Sequence, residues 1–172
     1  PAVSGEDGTF LFENVPYGNW LIKELQPADG YLSNEEIYPV RISENGQTVG
    51  ITVVNDRTPE IGTKATVNGE KTATAEGDIA IEDTVSYKHL IPGKAYTIKG
   101  ILMDMATGKA FLVDGKELTS EVTFTPEESC GEVTVRFTFG GSKITKQTDL
   151  VVFETLYRDG VELAAHADIE DG

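Results

Sequence analysis

Short segments rich in β-branched and aromatic residues, separated by glycine-containing turns, constrain the fold of this chain more than any other feature. The segments read TFLFENV, NWLIKEL, YPVRI, TVGITVV, AYTIKGILM, EVTFT, EVTVRFTF and LVVFETLY, with turns such as EDG, ENG and VDGK between them. No stretch has convincing helical periodicity, and GSKITKQ is predicted to form one turn at most. Many short strands with glycine-rich turns are typical of β-sandwiches, so we predict an all-β protein.

A domain boundary is predicted at the segment NDRTPEIG, where one strand ends at Asn55 and the next begins at Ile61. The two predicted domains are residues 1–57 and 58–172. Four strands are expected in the first domain, and two stacked sheets need more than that to bury both inner faces. We therefore expect the first domain to be incomplete, with further strands preceding Pro1.

Charge and composition argue against nucleic acid, membranes and metal ions as partners. The formal net charge of −15 disfavours nucleic acid and anionic membrane surfaces, because both attract clustered lysine and arginine. No apolar run reaches the ~20 residues of a spanning helix. The single cysteine, Cys130, cannot form an internal disulfide. Although 29 residues are acidic, no segment matches an EF-hand loop, so we predict neither a metal nor a cofactor.

Polar side chains fall in the apolar rows of several predicted strands. Residues two apart on a strand share a face. This rule places Glu154 in the aliphatic row of LVVFETL, and it places Thr63 in the row of IGTKATV while Thr66 faces the other way. The second predicted domain therefore directs a hydroxyl and a carboxyl toward its core.

The first predicted domain shows the same pattern. Glu24 shares a row with Trp20 in WLIKEL, and Asn55 lies in the aliphatic row of ITVVND. Taken singly, each such residue is compatible with a strand end in solvent or with an ordinary salt bridge. Because an unpaired buried carboxylate is costly, their joint recurrence favours groups that hold or transfer protons.

A family resemblance is carried in the first domain by DGTFLFENVPYGNWLIKELQPADGYL and GITVVND. This segment resembles the C-terminal part of a Cna protein B-type domain, a prealbumin-like module of Gram-positive surface adhesins and pilins. In that family a first-strand lysine joins a last-strand asparagine through an isopeptide bond, beside the glutamate of a conserved box. The resemblance assigns Glu24 and Asn55 to this site. The lysine is expected upstream of Pro1, so the bond would require a separate fragment that supplies it.

A second resemblance covers nearly all of residues 60–172, in EIGTKAT, the long run from IEDTVSYKHL to EVTVRFTF, VVFETLY and HADIEDG. These segments are similar to the Thr–Gln ester-bond domain, or VaFE repeat, of surface proteins. There a first-strand threonine attacks a last-strand glutamine amide, forming an ester and releasing ammonia. The resemblance makes Thr63 the nucleophile, with Glu154, His166 and Asp171 handling protons.

The acceptor glutamine is expected a few residues after Asp171, and so beyond Gly172. Gln147 lies in a loop before the VVFE strand and does not match it. Both domains would then be incomplete, and the second would lack its last strand. Either the chain is trimmed, or separate pieces complete it.

His166 is the expected base and Asp171 its orienting acid, with Glu154 polarising the amide carbonyl. The roles of the two acids are interchangeable at this point.

The favoured function is structural: a stalk module of a cell-wall-anchored, extracellular adhesin or pilin, stabilised by self-formed ester and isopeptide bonds. Its partners would be adjacent domains of the same protein and a complementing strand. The alternative is a binding module whose loops recognise a host matrix protein or glycan, although the only tryptophan, Trp20, is predicted to face inward. An enzyme acting on external substrates is the third class, and we expect single-turnover self-modification instead.

Overall fold

The computed structural model describes residues 1–170, which form two compact units of short antiparallel strands. The units are Pro1–Arg57 and Thr58–Gly172. Apart from one 3₁₀ turn at Gly141–Lys143, the regular structure of the described residues is all β. The prediction of an all-β protein is confirmed.

The first unit contains two paired strands, β1 (Gly18–Lys23) and β2 (Ile37–Ile42). The predicted strands TFLFENV and TVGITVV are absent, which corrects the expectation of four strands. A sequence with strand propensity becomes a strand only where it finds a partner with which to share backbone hydrogen bonds. An isolated bridge between Tyr31 and Arg57 is the remaining pairing in this unit.

Trp20 also departs from the sequence prediction. Its side chain is 42% exposed, and its indole Nε1 donates a hydrogen bond to the carbonyl of Pro16 at 3.1 Å. The alternation itself holds, because Trp20 faces Val40 across the β1–β2 ladder. A two-stranded sheet is too small to bury an indole, and no residue in 1–57 reaches full burial.

The second unit is a sandwich of two sheets. Its strands are β3 (Glu60–Val67), β4 (Asp78–Lys88), β5 (Tyr96–Asp104), β6 (Lys109–Ala110), β7 (Leu112–Val113), β8 (Lys116–Glu117), β9 (Thr119–Phe124), β10 (Gly131–Gly140), β11 (Leu150–Arg158) and β12 (Val161–His166). One sheet has the order β10-β4-β3. The other runs β12-β11-β5, with β6 and β9 both paired to the far edge of β5, and β7 and β8 form a small separate ladder.

The core lies between these two sheets. Val85 on β4, Ile98 and Leu102 on β5, and Leu156 on β11 have no exposed surface. Alternate residues of each strand point inward, as β4 shows by burying every second side chain. The apolar area removed from water in this layer is the main source of the unit's stability.

The two long sides of the sandwich differ. On one side β9 lies against β10, and the Ser120 hydroxyl donates to the Arg136 carbonyl at 2.7 Å. On the other side β3 lies against β11 and β12. The first strand of the unit therefore meets the last two described strands along this second side.

Gly100 marks a close approach between the sheets. It lies opposite Glu154 in the β5–β11 ladder. A Cβ at this position would come within 2.7 Å of the Phe137 ring and 3.3 Å of Val135. The absence of a side chain thus lets the Phe137 ring fill the core beside the Glu154 strand.

Replacing this glycine should destabilise the second unit through overpacking. We expect Gly100→Ala to lower the free energy of unfolding by about 1–3 kcal/mol, because Phe137 is 1% exposed and has no space to retreat into. Gly140→Ala is the matched control, since its nearest neighbour would be the Ser142 hydroxyl at an ordinary 3.7 Å. Urea unfolding of both variants measures the difference, and equal stabilities would contradict the packing described here.

Candidate functional site

Glu154 and His166 are direct partners on neighbouring strands. They face each other in the antiparallel β11–β12 ladder, so their side chains share a face and their Cβ atoms lie about 5 Å apart. Glu154 is 1% exposed, between the buried Val152 and Leu156 on β11, and His166 is half-buried at the end of β12. The structure thus brings together two of the residues that the sequence singled out.

Thr63 lies on the inner face of β3. Its neighbours on that face, Ile61 and Ala65, pack against the hydrophobic core, and Thr63 itself is half-buried. Thr66 lies on the opposite face, where its hydroxyl is 3.4 Å from the Glu82 carbonyl. Because β3 lies against β11 and β12, the Thr63 hydroxyl belongs to the same side of the sandwich as the strands that carry Glu154 and His166.

Asp83 on β4 is a further candidate that the sequence reasoning missed. It has no exposed surface, and neither carboxyl oxygen has a hydrogen-bond partner among residues 1–170. Asp83 pairs with Ala65 on β3, while Val85 pairs with Thr63. Asp83 is therefore the diagonal neighbour of Thr63 on the same face, with a Cα separation of roughly 7–8 Å.

The signal for Asp83 was present in the sequence. In IAIEDTVSY, alternation places Asp83 in the row of Ile81 and Val85, as it placed Glu154 among aliphatic residues on β11. The adjacent Glu82 interrupts the apolar run, so the segment does not stand out as a strand in the sequence. Applying the same alternation rule to this segment would have found both β4 and its buried acid.

This arrangement can support attack by a hydroxyl on an acyl group. A threonine hydroxyl is a weak nucleophile and needs a base, for which an imidazole is suited. Carboxyl groups in a dry site can orient the histidine or donate a hydrogen bond to a developing oxyanion. Asp171, the other acid expected here, lies outside the described residues.

The first unit contains a second polar cluster, centred on Glu24. The Asn55 side-chain nitrogen donates to both carboxylate oxygens of Glu24, at 2.9 and 2.8 Å, and to the Leu32 carbonyl at 3.0 Å. Since a carbonyl oxygen can only accept, the Leu32 contact fixes which end of the amide faces Glu24. Glu24 and Asn55 lie 31 residues apart in sequence, and both are half-buried.

Two kinds of feature were not found among residues 1–170, a metal-binding cluster and a membrane-spanning helix. Residues 1–170 hold no group of three or more His, Cys, Asp or Glu side chains arranged to bind a metal ion. No helix among them is long and apolar enough to cross a membrane. The one cysteine, Cys130, is exposed with a free thiol in the turn before β10.

Family models match both units. The model described as T-Q ester bond containing domain matches residues 59–172, about two thirds of the chain. The chain belongs to this family. A second model, described as prealbumin-like fold domain, matches residues 1–57. The resemblances drawn from the sequence are therefore confirmed at the level of family.

Solved structures support the fold of this ester-bond family member. Two crystal forms of a bacterial adhesin from Mobiluncus mulieris, described as containing intramolecular disulfide, isopeptide and ester bond cross-links, resemble it with a TM-score of 0.57. They are 20% and 22% identical, and each match covers 66% of this chain. The chain spans about half of the adhesin, 54% of its length. A comparison with curated protein sequences found no significant match.

The burial of Asp83 predicts that this residue lowers stability. We expect Asp83→Val to raise the free energy of unfolding by about 1–3 kcal/mol, because it removes a buried polar group without a partner and adds apolar contacts. Val85→Ala, at the next inward position of β4, should lower it by about 2–4 kcal/mol through cavity formation. Urea unfolding at neutral pH compares them, and a loss of stability in Asp83→Val would contradict the assignment.

Proposed function

We propose that this chain is a structural stalk module of a cell-wall-anchored surface adhesin or pilin of a Gram-positive bacterium. Its ester-bond domain would tie its own first and last strands together covalently. The observation that carries the proposal is the side of the sandwich where β3, with Thr63 on its inner face, lies against the strands of Glu154 and His166. The adhesin that shares its fold is consistent with an extracellular location.

The proposed reaction joins Thr63 to a glutamine located after Gly172. The Thr63 oxygen attacks the side-chain carbonyl carbon of that glutamine, and His166 accepts the hydroxyl proton. The tetrahedral intermediate then expels its nitrogen, to which His166 returns the proton. One C–O bond forms, one C–N bond breaks, and one ammonia leaves, so the reaction is a single self-modification that needs no cofactor.

The two buried carboxyls would support this step in different ways. Glu154, paired with His166 across β11 and β12, is positioned to act on the imidazole or on the amide carbonyl. Asp83, diagonal to Thr63, is positioned to hydrogen-bond the hydroxyl or the developing oxyanion. We therefore propose Asp83, alongside the sequence-predicted Asp171, as an acid of this site, because full burial is what a preorganised group requires.

The benefit of such a bond would be mechanical. Tension that enters through the first and last strands would load the ester before it loads the backbone hydrogen bonds. The bond would also restrict the unfolded chain, as a disulfide closing a ~100-residue loop does, at about 4–5 kcal/mol in the entropy model. Unlike a disulfide, an ester is not broken by reducing agents.

In the first unit, the cluster of Glu24 and Asn55 supports an isopeptide bond to a lysine. Glu24 contacts the Asn55 nitrogen that would leave as ammonia, so a carboxyl proton could be delivered to it directly. The lysine would come from a strand that precedes Pro1 or from a complementing strand. Attack by its neutral amine on the Asn55 side-chain carbonyl carbon would form one C–N bond and break another. The Asn55 nitrogen would leave as ammonia with the proton from Glu24, which would recover a proton from the attacking nitrogen.

Recognition of a host matrix protein or glycan is the second candidate function. It is favoured by an open groove of about 560 Å³ on the ester-bond domain, lined in part by Ile101, Phe153, Lys99 and Glu121. The lysine and glutamate are partners in the β5–β9 ladder and form an exposed ion pair at 3.9 Å. The stalk function is preferred, because the lining of this groove includes Glu154, to which the proposed ester site already gives a role.

Intact mass tests the ester bond. A form of the protein extended beyond Gly172 through the expected glutamine should weigh one ammonia less than its sequence mass. Thr63→Ala should restore the full mass, because the nucleophile is removed. The matched control Thr66→Ala lies on the opposite face of β3 and should retain the loss. Full mass in the extended wild-type protein would refute the proposal.

Addition of a lysine-bearing strand tests the isopeptide bond. A longer form that includes residues upstream of Pro1 should release one ammonia by a reaction that requires Asn55, so Asn55→Ala should abolish it. Glu24→Ala should slow the reaction by at least about 100-fold, because general acid catalysis typically contributes that much. Peptide mapping by tandem mass spectrometry locates the bond, and a bond to any other residue would count against this site.

A further inference from the structure

Glu24 in the first unit has two asparagine neighbours. Besides the side-chain nitrogen of Asn55, the backbone N–H of Asn34 donates to its Oε2 atom at 2.7 Å. Asn34 is half-buried and lies between β1 and β2. Its role was not anticipated from the sequence.

The side chain of Asn34 links three segments of the unit. Its nitrogen donates to the Val54 carbonyl at 2.9 Å and to the Tyr38 hydroxyl at 3.1 Å. Its oxygen accepts from the backbone N–H of Glu36 at 2.8 Å. Every polar atom of this carboxamide is thus bonded, including one contact 20 residues away in sequence.

We propose that Asn34 is the positioning residue that brings Asn55 to Glu24. The inference rests on the isopeptide site proposed above. Val54 immediately precedes Asn55, so a bond to the Val54 carbonyl fixes the segment that presents the Asn55 amide. The backbone N–H of Asn34 fixes the Glu24 carboxylate at the same time. Asn34 therefore contacts both the acid and the segment that carries the amide, which the backbone N–H of Leu32 also holds through the Asp56 carbonyl at 2.8 Å.

The same geometry selects which asparagine reacts. The Asn55 side-chain nitrogen contacts Glu24, so its departure as ammonia can be assisted by a proton from that acid. The Asn34 side-chain nitrogen instead contacts Val54 and Tyr38, and only its backbone touches Glu24. An amide without an acid at its nitrogen lacks this assistance, and so Asn34 stays intact while Asn55 reacts.

A purely structural role for Asn34 makes a different prediction. The bond from the Glu36 N–H to the Asn34 side-chain oxygen closes a turn that a serine hydroxyl can also close. Serine is too short to reach the Val54 carbonyl as well. Asn34→Ser therefore keeps the turn and removes the positioning contact, whereas Asn34→Ala removes both.

Hydrogen exchange of the Asn55 side-chain amide, followed by NMR on the 172-residue chain, tests the proposal without any lysine. We expect both Asn34→Ala and Asn34→Ser to speed this exchange by about five- to tenfold, the effect of losing one net hydrogen bond. Asn45→Ala, in the exposed turn after β2, is the matched control and should leave it unchanged. Backbone spectra of β1 and β2 verify that the variants remain folded.

Exchange at the wild-type rate in Asn34→Ser would overturn the positioning role and leave Asn34 as a turn former. In a longer form that carries the lysine, Asn34→Ser should slow ammonia release while the bond still maps to Asn55. A bond that maps to Asn34 would overturn the selection argument. Absence of ammonia release from the unsubstituted longer form would refute the isopeptide site alone, because the exchange result stands independently of it.

Discussion

The burial of two carboxyl groups in an otherwise apolar core is the constraint that most shapes the candidate site of the second unit. Asp83 and Glu154 come from opposite sheets and are 0% and 1% exposed. Burying such groups costs free energy that the surrounding aliphatic and aromatic side chains must offset. A sandwich selected for stability alone would place apolar residues at both positions. Their presence is best explained by chemistry that requires a dry, preorganised site.

Much of the second unit follows from strand alternation. The rule placed Thr63 and Glu154 on inward faces, and the structure has both there. β4, the longest described strand of the unit, was not predicted because Glu82 and Asp83 interrupt its apolar run, although its buried residues do alternate. Alternation could not pair Glu154 with His166, since their proximity depends on the register of β11 against β12; only the family resemblance placed them in one site.

The first unit shows the limit of local propensity. Segments that contain Phe10 or Val53 have strand-forming sequences, but they have no ladder partners and remain irregular. The polar cluster nevertheless forms, because side-chain hydrogen bonds join Glu24 to Asn55 without requiring a sheet between them. Strand alternation could not identify Asn34, because this residue lies in the loop between β1 and β2, where side chains do not alternate between two faces.

The proposed reactions would use a glutamate in the same physical way in both units: a carboxyl held in place beside a group that gains or loses a proton when a side-chain amide is replaced. The most direct test of this account is a high-resolution crystal structure of a form extended past Gly172. The account predicts continuous density from the Thr63 oxygen to a downstream glutamine carbonyl, with His166, Glu154 and Asp83 around it. A free, solvated Thr63 hydroxyl remote from those three side chains would contradict it.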